Sequence, residues 1–319
     1  MLPKICVVGS GYWGENHINT LNDMGCLSGI VDSSHERLNY FSKKFPETAT
    51  FKSIDDALEQ SDFSGYTVAT PAETHFTIAK KILEKGKSVL VEKPFTTVQG
   101  EAERLISLSN KFSANIMVGH LMLFHPAIQK MKKLIDEKKI GTINYIYSNR
   151  VNFGKVRTFE NVLWSLGPHD VSIFQYFLDD YPKYIDAKGT MFLQKDIHDN
   201  VTLNLSYKNN VSGHIFLSWL HPFKEHRLVV IGSHGMLTFE DSEKGSPLKL
   251  FDKKVEINNG KPHHIDNDYE EIFYDKKKPL TEELKYFIKQ IESEVINRST
   301  GKHALDVTKI LLEANNQIQ

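Results

Sequence analysis

Cysteine is almost absent from this chain: two thiols, Cys6 and Cys26, in 319 residues. Two thiols cannot build a disulfide framework or a structural zinc site, so neither is expected to hold the fold together. An excess of one charge sign is missing as well. Lys and Arg number 39 against 40 Asp and Glu, a formal net charge of −1, which argues against nucleic acid or an anionic membrane as the main partner. No apolar run approaches the ~18 residues of a membrane span. No HExxH occurs, and although the 14 histidines include the pair His263-His264, no acid or cysteine stands at ligand spacing around it, so no metal site is expected. Gly86-Lys87-Ser88 ends like a phosphate loop, but Lys81 stands where that motif needs its first glycine. Internal repeats and low-complexity segments are lacking. The chain opens almost directly on an apolar run with no charged-then-apolar leader, and the expectation is a cytoplasmic protein. The Asn-x-Ser/Thr triplets at Asn204, Asn210 and Asn297 are then chance.

What is present is concentrated first between Lys4 and Asp32. The apolar run Ile5, Cys6, Val7, Val8 stops at three glycines, Gly9, Gly11 and Gly14; a helical stretch follows, and a second apolar run, Ile30-Val31, ends on Asp32. That is the order of a dinucleotide-binding βαβ unit. Gly9 allows the tight turn, Gly11 lets the backbone approach a pyrophosphate, and Gly14 lets helix and strand come together. Free N–H groups at the helix start then face the phosphates. Asp32 is placed to accept hydrogen bonds from a ribose diol, and its charge would repel a 2′-phosphate, so NAD is favoured over NADP. The alternative is a glycine-rich turn with no ligand. Expected contacts with the cofactor here are Gly9, Ser10, Gly11, Tyr12, Trp13, Gly14, Asp32, Ser33 and Arg37.

From residue 4 to about 120, short apolar runs alternate with helical periods, which implies a parallel sheet with crossover helices. Helices are expected at 35–45, 54–60 with Ser53 as N-cap, 74–85 and 101–112, and strands at 66–69, 89–91 and 116–119. After one more helix at 127–138 the pattern changes to strand-like alternation at 144–153, 201–207, 213–219, 228–232 and 236–239. Hairpin-length connections at 208–210 and 233–235 imply antiparallel pairing. A helix at 168–178 interrupts the strands, and helices at 282–297 and 304–315 finish the chain. The fold class expected is an α/β Rossmann domain, residues 1–120, followed by an α+β substrate and oligomerisation domain, 121–319, on a large, mostly antiparallel open sheet. Its own helices cover one face only, so a homo-oligomer built sheet to sheet is expected.

Four further runs carry chemistry. In Ala69-Thr70-Pro71-Ala72-Glu73-Thr74-His75 a parallel strand ends, and ligands of doubly wound sheets lie beyond strand carboxyl ends. Thr70, Pro71 and His75 are therefore candidate cofactor contacts, against the plainer reading of a turn with Thr74 as cap. Glu92-Lys93-Pro94 ends the next strand. A lysine locked there could hydrogen-bond the oxygen that loses its proton as hydride departs, or could be a surface lysine in a turn; the Lys93-Pro94 bond is a candidate for the cis form. Leu163-Trp164-Ser165-Leu166-Gly167-Pro168-His169-Asp170 precedes a helix. His169 has the ordinary pKa of a general base near neutral pH, with a buried structural histidine as the alternative. Finally Arg150, Asn152, Lys155, Arg157 and Asn161 lie on and after one strand. Paired arginines suit a diphosphate; a solvated basic edge is the competing reading.

Together, GSGYWG at 9–14, ATPAETH at 69–75, VEKPF at 91–95, GHLMLFHPA at 119–127 and LWSLGPHD at 163–170 resemble the glucose-fructose oxidoreductase / inositol dehydrogenase / MocA family over essentially the whole chain. Trp13 in the glycine loop, the pair Asn16-His17, SWL at 218–220 and VIGSHGML at 230–237 are similar to a subset that oxidises C3 of UDP-N-acetylglucosamine or a near relative. The resemblance implies an NAD-dependent 3-dehydrogenase making a 3-keto nucleotide sugar, with an aminotransferase acting next toward a 3-amino sugar of lipopolysaccharide. It also implies roles. Lys93 would bond the sugar hydroxyl and the nicotinamide ribose, and His169 would take the C3 hydroxyl proton, the two facing the nicotinamide from opposite domains. Glu92 and Trp164 would touch the cofactor, and His120, Arg150, Asn152, Arg157 and Asn161 the substrate. Two positions depart from the family pattern. Ser165 stands where an aspartate is usual four residues before the histidine, and Leu123-Phe124-His125-Pro126 lacks the usual arginine. Serine cannot ionise at neutral pH, so any support a carboxylate gives the histidine is missing. Alternatives kept open are the corresponding UDP-N-acetylglucosaminuronate 3-dehydrogenase, a dehydrogenase of free polyols, and a non-catalytic NAD-binding regulator of the same fold.

Overall fold

A computed structural model describes residues 2–291 and 296–319. Two compact units emerge: Met1–Phe124 with Lys277–Thr308, and His125–Lys276 with Lys309–Gln319.

In the first unit β1 (Ile5–Val8), α1 (Tyr12–Asp23), β2 (Leu27–Val31), α2 (His35–Lys44), β3 (Ala49–Phe51), α3 (Ile54–Gln60), β4 (Gly65–Val68), α4 (Ala72–Glu84), β5 (Ser88–Glu92), α5 (Gln99–Lys111) and β6 (Ile116–Gly119) alternate. The strands pair in the order β3-β2-β1-β4-β5-β6, every neighbour parallel. β1, β4, β5 and β6 are buried at every residue, as continuous apolar runs covered on both faces require. Ser53 caps α3 as expected, accepting from the Asp56 amide at 3.1 Å, a bond worth about 1 kcal/mol. Cys6 and Cys26 are both free and buried. Strand order reverses between β1 and β4, the crevice where doubly wound sheets bind ligands.

The second unit contains α6 (Pro126–Asp136), β7 (Ile143–Phe153), α7 (Val162–Leu178), β8 (Tyr184–Thr190), β9 (Asn200–Ser206), β10 (Ser212–Ser218), β11 (Leu220–Gly232), β12 (Met236–Glu240), β13 (Leu248–Asn258) and β14 (Lys261–Glu271). Its eight strands run β14-β13-β12-β11-β7-β10-β9-β8. Only β7 and β10 pair in parallel; all other neighbours are antiparallel, including the two hairpins expected at 208–210 and 233–235. Along β7, Ile146, Ser148 and Arg150 are buried while Tyr145, Tyr147 and Asn149 are only partly so. α7 covers the buried side: a Cβ at Gly213 of β10 would stand 2.9 Å from the Phe174 ring and 3.1 Å from Ile146. On the other side Tyr147 stacks on His214, ring centroids 5.1 Å apart.

Three differences from expectation have physical causes. β3, β8, β13 and β14 were not anticipated; β14 is exposed at all but one residue and so carries no apolar alternation. α7 begins at Val162, not at Pro168. Asn161 caps it through a 3.2 Å bond from the Trp164 amide, and Pro168 sits inside the helix, so the usual preference of proline for a first helical position points to the wrong residue. Third, the expected division at 120/121 gave everything later to the second domain, whereas α8 (Pro279–Ile291) and the start of α9 (Gly301–Ile318) belong with the first unit. The free edge of β6 accounts for this: Val118 donates its amide to Ser299 at 3.0 Å and accepts the Ser299 hydroxyl at 2.6 Å. Part of the helix expected at 282–297, residues 292–295, lies outside the described residues. Among the described residues no helix is long and apolar enough to cross a membrane.

Candidate active site

The glycine turn after β1 is built for close approach. Gly9 has φ +90°, and a Cβ on Gly14 would stand 1.9 Å from the Gly9 carbonyl oxygen, a clash with backbone that no rotamer relieves. A Cβ on Gly11, by contrast, would meet nothing within 4 Å: the space is open for a ligand. Gly11 is also the N-cap of α1, with no side chain bonded to the helix's first N–H groups. Asp32 is fixed by three donors, the Ser10 amide at 2.7 Å, the Ser10 hydroxyl at 2.6 Å and the Ser34 amide at 2.8 Å. Arg37 donates to the Ser10 carbonyl, pairs with Glu15 at 2.8 Å and lies over the Phe41 ring. Its guanidinium is thus committed within the fold rather than offered to a 2′-phosphate. Tyr12, 82 % exposed, and Trp13 meet edge to face beside the turn. An open glycine cradle, uncapped amides and an anchored carboxylate fit NAD, with the amides toward the pyrophosphate and Asp32 toward the ribose.

The ends of β4, β5 and β6 are a different matter, because several residues expected to touch ligand are spent on scaffold. His75 is 1 % exposed, its ring nitrogens lying 2.9 Å from the carbonyls of Pro94 and Thr70. Burial lowers its pKa and outweighs the two carbonyls, which favour the charged ring. His75 is therefore a buried brace between the end of β4 and the Lys93–Pro94 turn, not a cofactor contact. The Thr70 hydroxyl accepts from Thr74 at 2.7 Å, and Pro71 is the N-cap residue of α4.

Glu92 is buried too. One carboxylate oxygen faces His17 Nε2 at 2.9 Å, with His17 fully buried, and the other accepts the Lys93 amide at 3.2 Å. It supports the lysine's backbone and does not reach for nucleotide. Lys93-Pro94 is the cis peptide bond. His120, given to the substrate by the sequence reading, is 3 % exposed, and among the described residues neither ring nitrogen is hydrogen-bonded. Burial first, then His303 and Lys93, hold its pKa well below the ordinary value. A neutral ring edge-on to His303, 5.5 Å away, makes it core.

In the second unit Arg150 is also redirected. It is 8 % exposed and makes a two-pronged ion pair with Asp170, Nε at 2.5 Å and Nη2 at 3.2 Å. A guanidinium so occupied and desolvated has no fork left for a diphosphate. Asn161 is the α7 cap, and its amide donates to Asn315 at 2.9 Å; the Trp164 indole donates to the same oxygen at 3.2 Å. Both side chains fasten α7 to α9, which leaves no polar group of Trp164 for a cofactor. Asn152 and Arg157 remain. Arg157 is one-third exposed and, among the described residues, its guanidinium has Glu160, at 3.7 Å, as a loose partner. His169 lies in the second turn of α7, not at a helix start, and since the helix is continuous Ser165 and His169 share one face.

Two groups escaped the sequence reading. Asp199, fully buried, accepts from the Trp219 indole at 2.6 Å and from the amides of Phe192 and Leu193 at 2.7 and 2.9 Å. Burial alone would raise its pKa, but those donors hold it low. Two come from the loop just before it and the third from just past the end of β10, an arrangement that no motif spacing reveals. Glu283, fully buried on α8, did carry a signal: it shares the apolar stripe of that helix with Leu284 and Phe287.

Comparison with known proteins agrees with this architecture. Residues 3–120 match the oxidoreductase family, NAD-binding Rossmann fold (GFO_IDH_MocA), and residues 128–238 match the GFO/IDH/MocA C-terminal domain. The chain is 29 % identical over 184 residues to the UDP-N-acetylglucosamine 3-dehydrogenase of Acidithiobacillus ferrooxidans, an alignment covering 57 % of this chain and 56 % of that protein. The matched stretch thus spans little more than half the length of that relative. A solved structure of the Acidithiobacillus enzyme superposes with a TM-score of 0.88 at 21 % identity, covering 100 % of this chain and 98 % of that one. Scyllo-inositol dehydrogenase from Lactobacillus casei, solved with NAD(H) and scyllo-inositol, superposes with a TM-score of 0.82 at 16 % identity, covering 100 % and 97 %. At such identities the structural likeness establishes the fold.

Proposed function

The chain belongs to the GFO/IDH/MocA oxidoreductase family, and on that premise we propose that it oxidises the C3 hydroxyl of UDP-N-acetylglucosamine to the 3-keto sugar with NAD. The observation that carries the substrate is the 29 % identity to the Acidithiobacillus UDP-N-acetylglucosamine 3-dehydrogenase. NAD supplies the hydride acceptor when bound. Lys93 hydrogen-bonds the C3 oxygen and stabilises the charge that develops there, a role that suits a lysine whose turn is braced from both sides, by Glu92 on its amide and by His75 on the Pro94 carbonyl. His169 accepts the hydroxyl proton. With Arg150 closed off by Asp170, Arg157 and Asn152 are the residues proposed for the diphosphate and the sugar.

The same proposal includes a cytoplasmic setting, a homo-oligomer formed through the open sheet face that carries Tyr147 and His214, and an aminotransferase consuming the ketone. Purified protein given UDP-N-acetylglucosamine and NAD should generate NADH absorbance, or a 3-amino product once coupled to an aminotransferase. Turnover of the glucuronate form alone would transfer the proposal to that sugar. Tight NAD binding with no turnover of any nucleotide sugar would replace it with a cofactor-sensing regulator, the reading that Ser165 beside His169 keeps open.

A further inference from the structure

The eight-stranded sheet ends in a ribbon that outgrows it. β12 pairs with β13 only over Leu248–Phe251, whereas β13 and β14 go on pairing from Lys253 opposite Asp266 to Asn258 opposite Lys261. Over that length the two strands have no third strand beside them among the described residues. Nor does the ribbon pack down on the sheet: a cleft of about 570 Å³ lies between Val255 and His264 on one side and Ile231 and Met236 on the other. Val255 and Ile257 stay exposed on it. A two-stranded ribbon is marginally stable in water. β14, eleven residues long at the end of the sheet, presents an edge that another strand can complete.

Charge decides which strand fits. The first half of β14 carries Lys261, His263 and His264; the second carries Asp266, Asp268, Glu270 and Glu271. An antiparallel copy of the same strand lays the first half on the second. We propose that the free edge of β14 pairs antiparallel with β14 of a second copy of this chain, about a twofold axis at Ile265. In that register Ile265, the one residue of β14 that is not exposed, meets its own copy, an apolar cross-strand pair. His264 then stands opposite Asp266 of the second copy, at two symmetric places. The Asp266 carboxylate is paired with Lys253 at 2.6 Å, and alternation puts it on the same side of the ribbon as His264. Moving the axis by one residue sets Asp266 against its own copy in one direction and His264 against its own copy in the other, so like groups meet. Pro262, which has no amide to donate, falls opposite Asp268, where the pairing of β14 with β13 is itself irregular. This contact is separate from the open face that carries Tyr147 and His214: it joins two eight-stranded sheets edge to edge into one continuous sheet.

Oxidative cross-linking tests the register. Cys6 and Cys26 are buried, so one introduced thiol on the surface reports alone. Ile265→Cys, mildly oxidised, should give a disulfide-linked dimer on a non-reducing gel, because that bond needs Cα atoms within about 7 Å. Tyr184→Cys, at an exposed position on β8, the opposite edge strand, should stay monomeric. His264→Asp sets acid against acid twice and should weaken association by about tenfold in sedimentation velocity over a micromolar range. Combining His264→Asp with Asp266→His restores the pair and should restore association. Both positions are exposed, so these variants carry the test if Ile265→Cys does not fold. No cross-link at residue 265, equal cross-linking at 265 and 184, or His264 variants that sediment as the native protein does would overturn the proposal. So would sedimentation altered by Tyr147→Asp but not by the β14 variants, which leaves the sheet face as the interface. Neither readout involves turnover, so a protein inactive on every nucleotide sugar loses the preceding proposal and keeps this one.

Discussion

The central strands of the first unit, β1, β4, β5 and β6, are buried on both faces, whereas β7 to β10 of the second present alternate residues to one covered and one open side. This changes what a polar residue means. Where the apolar runs of β2 and β5 end, polar side chains follow, so position alone marks Asp32, Glu92 and Lys93 as worth attention. Along β7 polar residues occur throughout, and Arg150, read as a ligand group, is instead a core cation closed by Asp170. Even at the strand ends, residues divide into those that meet ligand and those that hold the first kind in place. His75 and Glu92 belong to the second.

The largest expected test of this contrast is Lys93→Ala. Loss of the positioned group should cut turnover by roughly 10²–10⁴-fold, while NADH affinity, assigned in the proposal to the glycine turn and Asp32, should change far less; a steady-state assay beside a fluorescence titration reads both. Next comes the pair of arginines. Arg150→Ala leaves Asp170 buried and unpaired and should cost about 3–5 kcal/mol in urea unfolding, whereas Arg157→Ala should stay within about 1 kcal/mol and raise the KM for the nucleotide sugar. Equal stability losses at the two sites would erase the distinction between core and ligand arginines. The glycine turn offers a similar separation: Gly14→Ala should unfold or lose solubility because its methyl meets the Gly9 carbonyl, while Gly11→Ala should fold with native stability and lose NADH affinity. Smallest is Asn161→Ala, which removes the α7 cap and should lower stability by about 1 kcal/mol in the same unfolding experiment.

How far the sequence could be read follows the same division. The Rossmann unit was legible because its signals are local: Gly9, Gly11, Gly14 and Asp32 lie within one βαβ, and each crossover helix announces itself by a cap or an apolar stripe. The antiparallel half was legible at β7, β9, β10, β12 and the end of β11, though not at β8, where Ile185 and Ala187 alternate with exposed residues. It was not at β14, where exposure of both faces removes the alternation, nor at Val162, where Asn161 and not Pro168 starts the helix. Among site residues, the cradle and the lysine turn could be read because the turn requires particular residues. The commitments of His75, His120, Arg150 and Trp164 could not, since each depends on a partner distant in sequence or on burial that only the folded chain creates: Pro94, His303, Asp170 and Asn315.

The return of Lys277–Thr308 to the first unit bears on how that unit can be handled as a part. A fragment stopping at residue 124 would keep every parallel strand and the whole glycine turn, and would look like a complete nucleotide-binding module. It would nonetheless lack Ser299, leaving the Val118 amide on the β6 edge unpaired, and the apolar surface beneath α8 would be bare. Such an edge invites another strand to add itself, and the fragment should self-associate. A transplantable version has to be stitched from two pieces, 1–124 and 277–308, joined by a short linker that replaces the intervening half of the gene.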